Sequence, residues 1–312
     1  MELQTPPLVV IDKQKAQLWQ KLDAVRYSEF HPSYNQQPGH AKNHPQGTSS
    51  SSYAAQVLLE FEMALFAYRD DEGTKEELVE MGMPQLVMNT ARLVTASSSS
   101  NSSTTTADGE ACKSAVRILR CCLTFAGSSP MKDNNTIVEE SARLRAIDLL
   151  KQGVFSFVSQ LTQTAFRCHD TIELCLLVML KMFQRLPQSE VRVLSEKALK
   201  DIIRVSVFHG SSANIYLLSC KLFAVLLIHA SSNFSLKVVP MGLQQSISQY
   251  VFEGIRLHKS IGKCQDHGRA LLQYLVGPER ATQMIQQVYS TSHQQYHPPT
   301  LQAHHLGYSH AA

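Results

Sequence analysis

Two cysteine–histidine pairs come nearest, in residue type and spacing, to catalytic or metal-binding chemistry. Cys168 is followed directly by His169, and Cys264 precedes His267 by three residues. A thiol beside an imidazole could act as a nucleophile with its base, but neither pair has an identifiable third group to orient the histidine. A structural zinc site needs four ligands, and the sequence contains no Cys-x2-Cys. We therefore expect core cysteines beside surface histidines, and a cysteine-dependent enzyme is the least favoured alternative.

Other reactive residue types occur in polar, low-complexity segments. Serine and threonine dominate 49–52 and 97–106, where phosphorylation would add charge to a flexible loop, although an inert spacer is favoured. Five histidines lie near the C-terminus, and we expect a Gln/His-rich tail without metal-ligand geometry: His293, His297, His304, His305 and His310.

Phosphate-binding and metalloprotease motifs are absent from the sequence. It contains no Gly-rich phosphate loop, no Walker motif and no His-Glu-x2-His. We therefore predict a protein that is not an enzyme and that uses no cofactor and no metal.

Bulk composition is that of a globular protein with a buried core. The chain has 312 residues, 44% of them apolar, and a net charge of +3, which is too small to indicate nucleic acid or an anionic membrane. Its seven cysteines are an odd number and lie mostly in apolar runs, so we expect free thiols in a reducing compartment, the cytoplasm or the nucleus. The most apolar run, 215–230, is too short to span a membrane.

The elements that must position any site are helices. Apolar residues recur every three or four positions in four segments, and no segment alternates with period two. The first stripe is Val57, Leu58, Phe61, Leu65 and Phe66. Polar segments divide the chain into an N-terminal helical segment (1–27), a disordered linker (28–52), a helical domain (53–290) and a disordered tail (291–312).

The helical domain contains an internal repeat. A short helix ending in Gly82 and another ending in Gly153 are each followed by a second helix, and Lys197 and Gly242 occupy the equivalent position. Lys197 follows Gly153 by 44 residues, and Gly242 follows Lys197 by 45. The interval between Gly82 and Gly153 is longer because it contains two polar insertions.

This arrangement resembles the armadillo repeat, in which a glycine turn joins two helices and a longer third helix follows. The period of ~40–47 residues is that of armadillo and HEAT repeats. The resemblance implies an all-α, right-handed α-solenoid of about four armadillo-like repeats with polar loop insertions. It also implies third helices at 111–126, 170–186, 213–230 and 264–276.

In armadillo proteins the third helices line a concave groove that binds extended peptides. The Trp-Asn pattern of the importin-alpha branch is missing, since Trp19 is the sole tryptophan and lies outside the repeats. A basic groove for an acidic extended peptide, similar to that of beta-catenin, is one hypothesis for these helices, and the alternative is that their cations form an ordinary solvated face. The predicted partner-binding residues are cations of the third helices: Arg117, Arg120, Lys181, Arg185, Lys221 and Arg269.

The resulting prediction is a non-enzymatic protein–protein interaction scaffold that binds a partner in its groove, with neither a small-molecule substrate nor membrane insertion. An RNA-binding solenoid is the alternative, but it would require a continuous basic surface with aromatic side chains for base stacking.

Overall fold

The described residues of the computed structural model, 8–30, 50–98, 106–124, 135–230 and 240–290, fold into helices and contain no strand. The predicted all-α class is confirmed. The helices are α1 (Leu8–Phe30), α2 (Ser50–Phe66), α3 (Glu72–Glu80), α4 (Met83–Ser98), α5 (Thr106–Leu123), α6 (Asn135–Lys151), α7 (Val154–Thr164), α8 (His169–Phe183), α9 (Gln188–Phe208), α10 (Ala213–Ala230), α11 (Met241–Leu257), α12 (Gly262–Val276) and α13 (Pro278–Ser290). The predicted linker and tail lie largely outside the described residues.

The helices pack in two rows. Row one consists of α2, α5, α8, α10 and α12, each in contact with the next, and row two consists of α4, α7, α9, α11 and α13. The short helices α3 and α6 contact each other beside α4, α5 and α7. Helix α1 packs against α2 and α4 through Leu18, Leu22 and Val25, so it shares the core of the rows.

Two glycines make the predicted turns between consecutive helices. Gly82 joins α3 to α4 with φ of 76°, and Gly153 joins α6 to α7 with φ of 87°. Side chains disfavour this left-handed conformation, so glycine is the natural residue at these sharp turns.

The predicted break at Lys197 is wrong, because Lys197 lies inside the continuous helix α9. Lysine is a good helix former that would be strained at positive φ, so the helix runs through. Gly242 is the second residue of α11, and most of the segment before it lies outside the described residues.

Helices α8 and α10 of row one run in the same direction. Near the N-terminus of α8, Asp170 contacts Lys113 of α5. Two successive contacts join α8 to α10 in the same order, His169 with Ser212 and then Glu173 with Asn214. These contacts fix the relative height of the helices and therefore which side chains lie side by side.

One apolar stripe differs from its prediction. Val57, Leu58, Phe61 and Leu65 are buried, but Phe66 is exposed. One residue advances an α-helix by ~100°, so Phe66 turns away from the face that Leu65 buries. Among the described residues, no helix is both long and apolar enough to cross a membrane.

Candidate partner-binding face

The outer side of row one, which faces away from row two, carries most of the predicted partner-binding cations. We call this side the row-one face. On α5 the residues Lys113, Arg117 and Arg120 recur every three or four positions and are at least partly exposed, whereas Val116 and Leu119 are buried. The amphipathic pattern of α5 thus turns its cations to solvent.

Arg117 is engaged within the face. Its Nη1 lies 3.6 Å from Oε1 of Glu62 on α2, and both side chains are partly exposed. Glu62 Oε2 is buried and has no hydrogen-bond partner in the structure. Arg117 therefore compensates a carboxylate of the neighbouring helix, which limits what it can contribute to a partner.

Arg120, Lys181 and Lys221 are differently placed. Arg120 is exposed near the end of α5, while Lys181 and Lys221 are partly exposed on α8 and α10. None of the three side chains makes an ion pair or a hydrogen bond with the described residues. Their charges are available to a ligand, with Leu177, Leu217 and Leu218 partly exposed beside them.

The other two predicted cations lie elsewhere. Arg185 follows the end of α8, where its amide donates to the Met182 carbonyl. Arg269 on α12 is turned toward α13, and its Nη2 donates to the Tyr289 hydroxyl at 2.9 Å. Tyr289 in turn donates to Gln265 Oε1 at 2.8 Å. Arg269 thus joins α12 to row two, apart from the other cations.

The N-terminal edge of the face is charge-compensated. Lys113 Nζ donates to Glu110 at 2.9 Å and to Asp170 at 3.3 Å. The hydrogen bond to Glu110 raises the pKa of Lys113, and the hydrogen bond from Lys113 lowers the pKa of Asp170. The composition of α8 showed Asp170 and Glu173, but their cross-helix pairing depends on the register, which the sequence does not reveal.

The two cysteine–histidine pairs noted in the sequence do not form thiol–imidazole contacts. Cys168 Sγ accepts from the Thr171 hydroxyl, while His169 contacts Ser212 at 2.8 Å and Asp170 at 3.4 Å. Cys264 is buried, its thiol lies 3.7 Å from the Ala213 carbonyl oxygen, and burial raises its thiol pKa.

Ser212, His169 and Asp170 follow the order of a hydrolase triad. However, Asp170 is 69% exposed and shared with Lys113, whereas the carboxylate of the Ser-His-Asp template is buried. Ser212 Oγ also accepts from the Ile215 amide at the start of α10. We therefore interpret these contacts as an attachment between α8 and α10.

Among the described residues, no group of three or more His, Cys, Asp or Glu side chains could hold a metal ion. Comparison with known proteins adds no relative: no protein-family model, curated protein or solved structure matches the chain.

Proposed function

We propose that the chain is a right-handed armadillo-like α-solenoid of about four repeats that binds an acidic, extended segment of another protein on its row-one face. The binding involves no catalysis. All seven cysteines are free, which supports the cytoplasm or the nucleus as the compartment, because reducing conditions keep thiols unpaired.

Repeated local features support the solenoid. The left-handed glycines Gly82 and Gly153 occupy equivalent positions before α4 and α7. His209 and His258 end α9 and α11, and each contacts a carbonyl of the preceding inter-row turn, Phe166 at 2.8 Å and Gly210 at 3.0 Å. Consecutive units are thus attached in the same way, as expected of a repeat whose members contact only their neighbours.

The single observation that carries the binding proposal is the alignment of three cations that make no ion pair or hydrogen bond with the described residues. The contact between Lys113 and Asp170 places Arg120 at the height of Leu177, one turn before Lys181. The contact between Glu173 and Asn214 places Lys221 between these heights. Arg120, Lys181 and Lys221 therefore lie within about one helical turn, ~5.4 Å, along a line that crosses three helices.

An acidic segment suits this line. An extended chain crossing the helices would meet one cation on each, and its carboxylates would give these cations the partners that the described residues do not supply. Arginine offers a planar fork to a carboxylate and lysine a point charge. The partly exposed leucines between them provide apolar contact without burying an unpaired charge.

A matched pair of charge reversals tests this function. Arg120→Glu with Lys221→Glu changes the row-one face, and Arg192→Glu with Arg280→Glu makes the same charge change on α9 and α13 of row two. The probe is a fluorescein-labelled peptide of about twelve residues with a glutamate every third position, measured by anisotropy at low salt.

We expect the row-one pair to weaken binding at least ~10-fold and the row-two pair by less than ~2-fold, since local complementarity determines the interaction. Circular dichroism would show that both variants keep their helices. Equal losses in the two variants would mean that only net charge matters, and failure of the wild type to bind the peptide would contradict the proposal.

A further inference from the structure

The outermost ridge of α2 exposes three large apolar side chains. Leu59, Met63 and Phe66 are 43%, 61% and 63% exposed, and their spacing of four and three residues aligns them along one side of the helix. We call these three residues the α2 crest. Scattered exposed leucines are ordinary on a protein surface, but a continuous row that includes methionine and phenylalanine is typical of an interaction site.

Paired charges border the crest on both sides. Toward α1, Glu60 forms an ion pair with Lys21, and toward α5, Glu62 pairs with Arg117 at 3.6 Å. The Arg69 guanidinium lies 4.6 Å from the centre of the Phe66 ring. A partner side chain could therefore cover the crest without burying an uncompensated carboxylate. An apolar centre with a polar rim is the common anatomy of a protein interface.

The crest lies on the line of unpaired cations. Because Glu62 is opposite Arg117, the residues from Met63 to Phe66 are at the height of Arg120 on the next helix. The order across row one is thus an apolar site on α2, followed by one cation on each of α5, α8 and α10. A single extended segment can contact all four helices.

We propose that the α2 crest binds a large apolar side chain of the acidic segment and thereby sets its register on the row-one face. This inference rests on the proposed function. Packed helices are ~8–10 Å apart, and an extended chain advances ~3.3 Å per residue. The segment therefore carries acidic residues about three, six and nine positions from its apolar anchor.

The charges favour this segment over a second copy of the chain. Two copies meeting symmetrically through their α2 crests would bring Arg120 and its unpaired neighbours toward the same positive line on the other copy. Like charges in an interface are unfavourable. An acidic peptide neutralises the same line and also covers the crest.

The test is a double-mutant cycle between the crest and the anchor. Each labelled peptide carries an anchor residue, either leucine or alanine, and glutamates three, six and nine positions away from it. Each peptide is made in two directions, with the anchor at the N-terminus or at the C-terminus. Binding is measured by anisotropy to the full chain, to Leu59→Ser with Met63→Ser, and to the control Val193→Ser. Val193 is 80% exposed on α9, so its replacement removes apolar surface from row two only.

For one of the two peptide directions, we expect leucine to improve binding to the wild type and to the Val193→Ser control by ~10-fold over alanine. We expect the double serine variant to reduce this advantage to ~2-fold while binding the alanine peptide as well as the wild type does. An undiminished advantage in the double serine variant, or none in the wild type, would overturn this inference and leave the proposed function standing.

Failure of every acidic peptide to bind would overturn both proposals. Sedimentation of the wild type adds an independent outcome, because a dimer that dissociates in the double serine variant would assign the crest to a second copy. We expect a monomer in both cases.

Discussion

Neighbouring helices are held together by different chemistry toward the two ends of the molecule. Toward the N-terminus, Lys75 is fully buried and its Nζ donates to Glu72 at 3.0 Å and to the Thr124 carbonyl at 2.8 Å, just past the end of α5. Arg145 of α6 binds the same Glu72. Toward the C-terminus, Tyr216 of α10 is fully buried against Gly254 and Gly268, and its hydroxyl donates to the Val251 carbonyl.

Packing between neighbouring helices thus depends on compensated charges at one end of the molecule and on missing side chains at the other. The N-terminal cluster depends on Glu72, because its removal leaves two buried cations, Lys75 and Arg145, without the carboxylate they share. The C-terminal contact requires glycine at positions 254 and 268, because Tyr216 occupies the space that a side chain of α11 or α12 would take there. The two ends should therefore respond to different substitutions.

The largest effect is expected from Gly254→Ala. A Cβ at this position would lie 1.8 Å from the Tyr216 ring, whose hydroxyl is held by the Val251 carbonyl at 3.0 Å. Overpacking in a filled core typically costs ~1–3 kcal/mol, and so close an approach should reach about 3 kcal/mol in urea unfolding.

Gly242→Ala is the matched control, because it lies on the same helix with nothing within 4 Å of the added methyl. We expect it to be neutral or to stabilise the protein by up to ~1 kcal/mol. In a Tyr216→Leu background, Gly254→Ala should cost distinctly less. A full cost in that background would show that the helix, and not the ring contact, requires glycine.

The charged cluster should give the next largest effect. Glu72→Gln replaces the carboxylate that compensates both Lys75 and Arg145 with a neutral amide, and we expect the free energy of unfolding to fall by about 2 kcal/mol. This is less than the ~3–5 kcal/mol typical of breaking a fully buried pair, because Glu72 is partly exposed. Lys75→Met removes a buried charge and leaves Glu72 with Arg145, so about 1 kcal/mol is expected. Denaturant unfolding that reversed this order would contradict the central position of Glu72.

The smallest effects concern the turns. Gly153→Ala meets no atom within 4 Å, so its cost is that of positive φ alone, about 1 kcal/mol. Lys197→Gly places glycine inside α9 and should also cost about 1 kcal/mol. Thermal melts of both variants test whether positions 153 and 197 differ in backbone conformation. If they do, replacing glycine destabilises the first position and introducing glycine destabilises the second. A loss at Gly153 well above 1 kcal/mol would indicate a side-chain clash instead.

The sequence predicted the elements better than the contacts. Four row-one helices and the glycine turns at Gly82 and Gly153 followed from periodicity and from the conformational freedom of glycine. The pairing of Arg117 with Glu62 could not be predicted, because it depends on the register between α2 and α5. The role of Gly254 was equally hidden, since a glycine inside a helix indicates only that some atom approaches closely.

The same limit applied to the candidate site. The sequence predicted that the six cations lie on third helices, and Arg120, Lys181 and Lys221 on the row-one face make no ion pair or hydrogen bond with the described residues. Arg269 is turned toward α13 and donates to Tyr289, which could be foreseen only by knowing that α13 packs against α12. Phe66 was assigned to the core stripe, and its exposure completes the α2 crest.

Methyl chemical-shift mapping tests whether the row-one face binds an acidic segment. With methyl-labelled leucine and valine, the glutamate peptide is titrated into the full chain. We expect saturable shifts at Leu177 and Leu217 on the row-one face, with Leu144 on α6 and Val193 on α9 unchanged. Shifts at Leu144 and Val193 with Leu177 and Leu217 silent would contradict the proposed binding.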